Sequence, residues 1–225
     1  MSHFIRNETI TASRHNHDQE FPALVLAAGA SSRFGRPKAM MALSEGNGQS
    51  RTLLDHAIAQ GRLLSRDVHV VCGAWYPLVR FRCQAQPSRW VHVADWHKGM
   101  AASLSAGIRS LGPYAKGAFV LLADQPLLDH HALAAFGETA RCFPDQALAA
   151  DYGSRPGVPA YLPRWLWPDI LALEGDRGAG QLLVGANATR LAIPGVHDDI
   201  DTPDDWRRIR EEFTRTGLQA RQSQG

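Results

Sequence analysis

The sequence has few cysteines, no long apolar run and little excess of charge of either sign. Three of the 225 residues are cysteines and none lies in a Cys-x-x-Cys pair, which argues against a disulfide framework or a cysteine zinc site. No apolar run approaches the roughly 20 residues of a membrane span, and the N-terminus lacks the apolar segment of a secretory signal. A net charge of +2 gives no strong attraction to nucleic acid or to an anionic membrane. We therefore expect a cytoplasmic protein with neither a membrane nor a nucleic acid as partner.

The composition is that of a chain that folds around an apolar core, because hydrophobic residues make up 44% of it. Residues 1–20 are polar with scattered apolar positions, and we interpret them as a disordered polar tail. No repeat or low-complexity linker interrupts residues 21–213, which we take as a single domain. Residues 214–225 form a polar C-terminal end.

Short apolar runs alternate with segments of helical periodicity. Residues 23–27 and 118–123 have the apolar character of strands that are buried on both faces of a parallel sheet. Residues 146–161 are less regular, because prolines break the pattern. Strands are further predicted at 68–72, 90–94 and 190–193, and helices at 52–64, 100–111, 130–141, 163–173, 179–184 and from Pro203 onward.

This alternation predicts an α/β fold with a mostly parallel sheet and helices on both faces. In such sheets, ligands bind beyond the carboxyl ends of the strands. We therefore expect functional residues in the loops that follow Ala27, Ala94 and Ala123.

The loop after the first strand, Leu26-Ala-Ala-Gly-Ala-Ser-Ser-Arg-Phe-Gly-Arg-Pro-Lys38, combines small residues with cations. Small residues allow backbone N–H groups to approach an anion closely, and Arg33 and Lys38 add positive charge, which suits a triphosphate. The spacing excludes a Walker loop, since five residues separate Gly29 from Gly35 and Arg-Pro follows. A dinucleotide-binding fingerprint is excluded as well, because the loop does not run directly into a helix.

This loop resembles the Leu-Ala-Ala-Gly-x-Ser-x-Arg-Met-Gly-x-x-Lys loop of nucleotidyltransferases with a Rossmann-like fold, with Phe34 in the usual methionine position. The chain most resembles the molybdenum-cofactor cytidylyltransferases, over residues 22–210. Their motifs recur in order as Gly-Arg-Pro-Lys-Ala (35–39), Gly-Met-Ala-Ala-Ser-Leu (99–104), Leu-Ala-Asp-Gln-Pro (122–126) and Asp-Ile-Asp-Thr-Pro-Asp-Asp (199–205). The resemblance implies a nucleotide site formed by Leu26, Ala27, Ala28, Gly29, Ser31, Arg33, Lys38, Gly99 and Asp124.

Carboxylates near two strand ends predict a metal site. Asp124 follows a buried strand, where a carboxylate can hold Mg²⁺ against substrate phosphates, and Asp129 is better placed to cap the next helix. Asp199 and Asp201 would point to the same side of an extended segment. The resemblance favours Asp201 as the second metal ligand. The alternative is that the pair only stabilises the positive end of the helix that follows.

The resemblance implies transfer of CMP from CTP, in which the terminal phosphate of an acceptor attacks the α-phosphate and pyrophosphate leaves. Arg33, Lys38 and Asp124 would be the catalytic residues: the two cations would offset phosphate charge, and the carboxylate would place Mg²⁺. Backbone amides of residues 27–30 would hold base or phosphate. The alanines at 27 and 28 resemble the CTP-specific form of the loop, whereas Leu-Gly-Gly-Gly resembles the guanylyl enzymes. The implied partners are CTP, the molybdopterin cofactor as acceptor, and a transiently bound molybdoenzyme.

Three differences from the family lie on the acceptor side. Val93-Ala94 replace a usual Asn-Pro, Val158 replaces the histidine of a Gly-His-Pro motif, and Gly180 replaces the arginine of Gly-Asp-x-Gly-Ala-Arg. Two alternatives therefore stay open: a nucleotidyltransferase acting on a sugar phosphate or polyol phosphate, and a non-catalytic nucleotide-binding partner of a molybdoenzyme.

A segment of alternating cations and aromatics, Arg80-Phe81-Arg82 followed by Arg89-Trp90, has the pattern of a patch that binds single-stranded nucleic acid. The small net charge disfavours that function. We interpret the segment as a solvated face, with the mouth of a site for an anionic acceptor as the alternative.

Overall fold

The computed structural model describes residues 20–31, 34–44 and 49–222, with side chains as far as residue 215. Its strands are β1 (Ala23–Ala27), β2 (Ala42–Ser44), β3 (Ser50–Thr52), β4 (Val68–Cys72), β5 (Arg89–His92), β6 (Gly117–Leu122), β7 (Leu148–Asp151), β8 (Pro156–Pro163) and β9 (Thr189–Leu191). Its helices are α1 (Leu53–Leu64), α2 (Leu78–Arg82), α3 (Met100–Arg109), α4 (His130–Cys142), α5 (Trp167–Leu171), α6 (Ala179–Gly185) and α7 (Pro203–Gln222). Short 3₁₀ turns occupy Lys38–Met40, Trp96–Lys98 and Arg164–Leu166.

Seven strands form one sheet in the order β5-β4-β1-β6-β8-β7-β9, and β2 and β3 form a separate antiparallel hairpin. Strands β4, β1 and β6 are parallel neighbours, as are β4 and β5 at one edge and β7 and β9 at the other. Only β8 is reversed among the strands of this sheet, since it pairs antiparallel with both β6 and β7. The predicted α/β class and the mostly parallel sheet are confirmed.

The sequence analysis did not predict β8, because its prolines resemble a strand breaker. Pro156 and Pro163 lie at its two ends, and Pro159 lies where the register with β7 slips, between the pairs Ala149–Ala160 and Ala150–Gly157. A proline lacks the N–H that a ladder needs, so strand ends and bulges are the places where a sheet tolerates it. An inner strand with three prolines is therefore consistent with this fold.

Apolar side chains fill both faces of the sheet. Neighbouring residues of β1 show this directly: Val25 belongs to the core under α1 and α4, and Leu24 belongs to the core under α3, α5 and α6. Both side chains are fully buried, as expected for a strand covered on two sides. Among the described residues, no helix has the combination of length and apolar character that crossing a bilayer requires.

The structure describes only parts of the two ends of the chain. The predicted tail lies outside the described residues except for Glu20, which forms an ion pair with Lys116 at 3.0 Å. The last helix begins at Pro203, as predicted, and it continues through the predicted polar end to Gln222.

Helix α1 begins with a capping box that also joins the helix to a distant loop. The hydroxyl of Thr52 accepts from the N–H of Asp55, and a carboxylate oxygen of Asp55 accepts from the N–H of Thr52 at 2.9 Å. The other carboxylate oxygen accepts from the N–H groups of Gln84 and Ala85 and from the thiol of Cys83. Burial alone would raise the pKa of Asp55, but these hydrogen bonds hold it below its ordinary value.

Replacement of Asp55 by alanine is therefore expected to reduce the free energy of unfolding by about 2–4 kcal/mol, because several buried N–H donors lose their acceptor. As a control, Asp129→Ala removes an N-cap with one bond, from Ala132, and is expected to cost about 1 kcal/mol. Urea denaturation measures both. Because the pKa of Asp55 is lowered by folding, its contribution is present above pH 3.8 and is lost as the pH falls further. Equal losses for the two variants would contradict the assignment.

Candidate active site

A pocket of about 430 Å³ opens at the carboxyl ends of β1 and β6. It is in the place expected for an α/β sheet, where the crossover direction changes between neighbouring strands. Of the residues predicted to bind nucleotide, the following line it: Leu26, Ala27, Ala28, Gly29, Ser31, Lys38, Gly99 and Asp124. Arg33 lies outside the described residues, so its role stays a prediction. Asp201, predicted as a metal ligand, reaches the site through its contact with Lys38.

The loop after β1 presents backbone groups to this pocket. Its carbonyl groups point to the protein, because Ala28 accepts from the N–H of Ala74 at 3.1 Å and Ala30 accepts from the indole N–H of Trp75 at 2.9 Å. The N–H groups of residues 29–31 make no hydrogen bond to other described residues. A Cβ on Gly29 would meet open space. The loop can therefore offer amide donors to an anion, as its small residues predicted.

Ser31 connects this loop to Lys38 by a hydrogen bond. Its backbone has a φ of 54°, which is uncommon for a residue with a side chain, and its hydroxyl accepts from the N–H of Lys38 at 3.2 Å. The Ser31 carbonyl accepts from Phe34 at 2.9 Å. These bonds fix where the Lys38 side chain starts, seven residues further on.

The ammonium group of Lys38 lies between two carboxylates. Its Nζ is 2.7 Å from Oδ2 of Asp124 and 3.2 Å from Oδ1 of Asp201. Burial alone would lower the pKa of Lys38, but the charge of Asp124 and the hydrogen bonds to both carboxylates outweigh it and raise the pKa above its ordinary value. Lys38 is therefore positively charged at neutral pH and available to neutralise phosphate charge.

Asp201 comes to this site because the segment before α7 is bound to the end of β6. The N–H of Ile200 donates to the backbone carbonyl of Asp124 at 3.1 Å, and Ile200 is fully buried. The helix itself is capped by other groups: Thr202 and Asp205 form the capping bonds. Asp201 is thus left to contact Lys38, which argues against the alternative that it only stabilises the helix.

The two carboxylates fit a divalent cation of the hard, oxygen-seeking kind. Oδ1 of Asp124 is buried and has no hydrogen-bond partner among the described residues, so it is available to a ligand. No group of three or more His, Cys, Asp or Glu side chains in the described part of the chain could hold a metal. Two carboxylates leave several coordination positions for water and substrate phosphates, which is how proteins commonly hold Mg²⁺.

Asp199 differs from Asp201 in its surroundings. Burial raises the pKa of Asp199, and the negative charges of Asp201 and Asp124 raise it further. Its side chain lines a different cavity from that of Lys38. Of the two candidates, Asp201 is therefore the one that shares Lys38 with Asp124.

The sequence analysis did not name several residues that line the pocket: Trp75, Val79, Trp96, His97, Met100 and Asp176. Trp96 and His97 do lie in the loop after Ala94, where it expected functional residues, and Met100 lies in the 99–104 motif. Ser103, which lies in the 99–104 motif, is buried and also lines the pocket. Trp75 follows β4 closely, so the rule that ligands bind beyond the carboxyl ends of strands was the available signal. The position of Asp176 carried no comparable signal.

A second cavity, of about 880 Å³, adjoins the first, because Met100, Leu122 and Asp176 line both. It is bordered by Tyr152 and by charged residues of both signs: Arg155, Arg177, Glu174, Asp176 and Asp199. Two positions where the sequence departs from the family pattern, Val158 and Gly180, line this cavity. Two of the three departures therefore lie at this cavity, and the third, Val93-Ala94, does not line it.

Gly99 allows the loop at residues 175–176 to pack closely against the start of α3. Its φ of 100° favours glycine, and a Cβ there would overlap the carbonyl group of Gly175 and the carboxylate of Asp176. The carbonyl of Gly175 also accepts from the N–H of Ala101 at 3.1 Å. The loop at 175–176 therefore approaches the start of α3 as closely as it does because residue 99 has no side chain.

The fold and this arrangement of loop, lysine and carboxylates are those of a nucleotidyltransferase. The chain belongs to the family of the MobA-like NTP transferase domain, whose model matches residues 23–190. A comparison with curated protein sequences finds no match.

Solved structures agree with this assignment of the fold. Rv0371c from Mycobacterium tuberculosis H37Rv is 26% identical, with a TM-score of 0.74 over 85% of this chain and 97% of that one. Rv0371C in complex with manganese gives 24% identity and a TM-score of 0.70 over 85% and 98% of the two chains. Molybdopterin-guanine dinucleotide biosynthesis protein A from Archaeoglobus fulgidus is 17% identical, with a TM-score of 0.65 over 86% and 99%.

Replacement of Gly99 by alanine is expected to lower the free energy of unfolding by about 1–3 kcal/mol, because the backbone strain adds to the overlap with residue 175. The same change is expected to weaken binding of a nucleoside triphosphate by about tenfold or more, since the pocket wall must move. Gly112→Ala is the matched control, because a Cβ there meets nothing within 4 Å. Calorimetric titration and urea denaturation measure the two effects. Wild-type affinity in Gly99→Ala would show that the close approach is unnecessary.

Proposed function

We propose that this protein is a cytoplasmic, Mg²⁺-dependent cytidylyltransferase, which transfers CMP from CTP to the terminal phosphate of the molybdenum cofactor. The observation that carries the proposal is the position of Lys38, between Asp124 and Asp201 and beside the free amide groups of residues 29–31. An acceptor phosphate oxygen attacks the α-phosphorus of CTP, the bond from that phosphorus to the bridging oxygen breaks, and pyrophosphate leaves. The chemistry is positioning and charge neutralisation.

Lys38 and the loop would bind the triphosphate. Residues 29–31 and Lys38 line one pocket, so their amide donors and ammonium group would share the charge of the phosphates. Arg33 would add a second cation from the same loop. As pyrophosphate forms, these positive groups stabilise the charge that accumulates on the leaving oxygen.

Asp124 and Asp201 would hold the divalent cation. Lys38 contacts Oδ2 of Asp124 and Oδ1 of Asp201, which leaves Oδ1 of Asp124 for the cation. When bound, the cation supplies Lewis-acid polarisation of the phosphate oxygens. The manganese in the Rv0371C complex supports a divalent cation in this fold.

The choice of CTP rests on the loop sequence. Ala27 and Ala28 line the pocket, with Ala28 largely buried. Their resemblance to the cytidylyl form of the loop favours CTP over GTP.

The cavity beside Asp199 would receive the acceptor. Arg155 and Arg177 would bind the phosphate of the acceptor, and the acids Glu174, Asp176 and Asp199 that also line the cavity would face its polar groups. Val158 and Gly180 at its wall replace a histidine and an arginine of the family pattern, and this observation favours a second candidate: a sugar phosphate or polyol phosphate as acceptor. For either acceptor, the proposed attack on the α-phosphorus of CTP is the same. A molybdoenzyme that receives the product would be the transient partner.

The Lys38→Ala variant is expected to release pyrophosphate at least about 100-fold more slowly, because it lacks a preorganised charge at the transition state. Pyrophosphate release from CTP and Mg²⁺ is measured with molybdopterin, sugar phosphates and polyol phosphates as acceptors. Lys116→Ala, which removes a surface cation paired with Glu20, is the control and should match wild type. Activity of Lys38→Ala within a few-fold of wild type would exclude the proposed role. Tight CTP binding without release for any acceptor would favour a non-catalytic nucleotide-binding protein.

Asp124→Asn is expected to raise the Mg²⁺ concentration for half-maximal activity by about tenfold or more, because a neutral amide is a weaker ligand for a hard cation. Asp129→Asn is a suitable comparison, since asparagine also caps helices and residue 129 caps α4. Metal titrations of pyrophosphate release measure both variants. An unchanged Mg²⁺ requirement in Asp124→Asn would place the metal elsewhere.

A further inference from the structure

The described arginines differ in whether their guanidinium groups have partners. Several of them donate to a carbonyl or a hydroxyl or pair with an acid, as Arg62 does with the carbonyl of Gln86 at 2.7 Å. Those with neither an ion-pair nor a hydrogen-bond partner among the described residues are Arg36, Arg82, Arg155, Arg177, Arg210 and Arg215. Two of these border the acceptor-side cavity, and three others lie together elsewhere.

Arg36, Arg82 and Arg210 line one cleft of about 740 Å³, which we call the arginine cleft. They come from three separate parts of the chain: the loop after β1, the end of α2, and α7. Apolar side chains, among them Met40 and Trp206, form part of its wall, and none of the described residues that line it is acidic. Three like charges that gather without a counter-charge repel one another, so the arrangement costs stability unless an anion binds there.

Other arginines on the surface of helix α7 form ion pairs, whereas Arg210 does not among the described residues. Arg207 pairs with Asp204, and Arg208 pairs with Asp198 at 2.5 Å. Both of these arginines precede Arg210 by less than one turn of the same helix. Arg210 faces the arginine cleft instead and has no such partner among the described residues.

The arginine cleft is a neighbour of the proposed phosphate site. The 3₁₀ turn Lys38–Met40 separates the two: Lys38 lines the pocket, and Met40 lines the cleft. Arg36 and Pro37 precede the catalytic lysine directly and line the cleft. An anion that leaves Lys38 on this side of the loop therefore meets three further cations.

We propose that the arginine cleft is a second anion site, which binds inorganic pyrophosphate. Guanidinium groups match phosphate oxygens with paired hydrogen bonds, and a pyrophosphate with several oxygens can engage more than one of them at once. The identification of pyrophosphate as the physiological ligand rests on the proposed function, in which it is the product. The binding itself does not require the protein to be an enzyme.

The experiment measures binding of inorganic pyrophosphate by calorimetric titration, without CTP or metal. The full-length Lys38→Ala variant is used, because it weakens the phosphate site in the pocket. In that background, Arg82→Gln/Arg210→Gln is expected to weaken binding about tenfold or more, since charge-assisted hydrogen bonds are lost. Arg109→Gln/Arg207→Gln removes the same charge from positions outside the cleft, and it is expected to leave binding within about twofold. The exposed positions make folded variants the expected result, which thermal denaturation checks.

Three results would overturn the proposal: no pyrophosphate binding by Lys38→Ala, equal binding after the two cleft substitutions, or an equal loss in the charge-matched control. The third would identify a general effect of net charge. These results are separate from the test of the proposed function, because pyrophosphate binding is read without turnover. If the protein releases no pyrophosphate with any acceptor, binding that depends on Arg82 and Arg210 would still establish the site.

Discussion

The ion pair between Lys38 and Asp124, shared with Asp201, depends on the whole fold and organises the site. Its three members come from a loop after β1, the end of β6 and the segment before α7. A half-buried ammonium is stable there because two carboxylates offset the loss of hydration. The same carboxylates need a cation between them, whether it is the ammonium or a metal. The site therefore has an ammonium group beside two carboxylates, and this arrangement suits an anionic ligand together with a cation.

The sheet makes this convergence possible. Parallel strands end at one edge, so Ala27 and Asp124 lie near each other although almost a hundred residues separate them. The bond from Ile200 to the carbonyl of Asp124 adds a third segment. Glycine at residue 99 then allows the loop at 175–176 to close one wall. Each of these contacts involves the backbone, and each fixes the position from which a charged side chain enters the site.

Motif residues and wall residues of the site differ in how far they could be predicted. Lys38, Asp124 and Asp201 were predicted because loops after buried strands and the family's motifs both point to them. Trp75 and Asp176 were not, because pocket walls require only a suitable shape and many residue types provide it. The proline-containing β8 was missed for a related reason: local propensity disfavours a strand there, and pairing with β6 and β7 overrides it.

The sequence by itself determined the α/β class and the order of the main strands and helices, and it pointed to Lys38, Asp124 and Asp201 as candidate site residues. These follow from short apolar runs, helical periodicity and small residues beside cations, all of which are local signals. Only the tertiary structure decided that β8 runs antiparallel, that Asp201 rather than Asp199 shares Lys38, and that Arg36, Arg82 and Arg210 line one cleft. Those facts depend on contacts between residues far apart in the chain. Packing and burial select such contacts, and no local pattern encodes them.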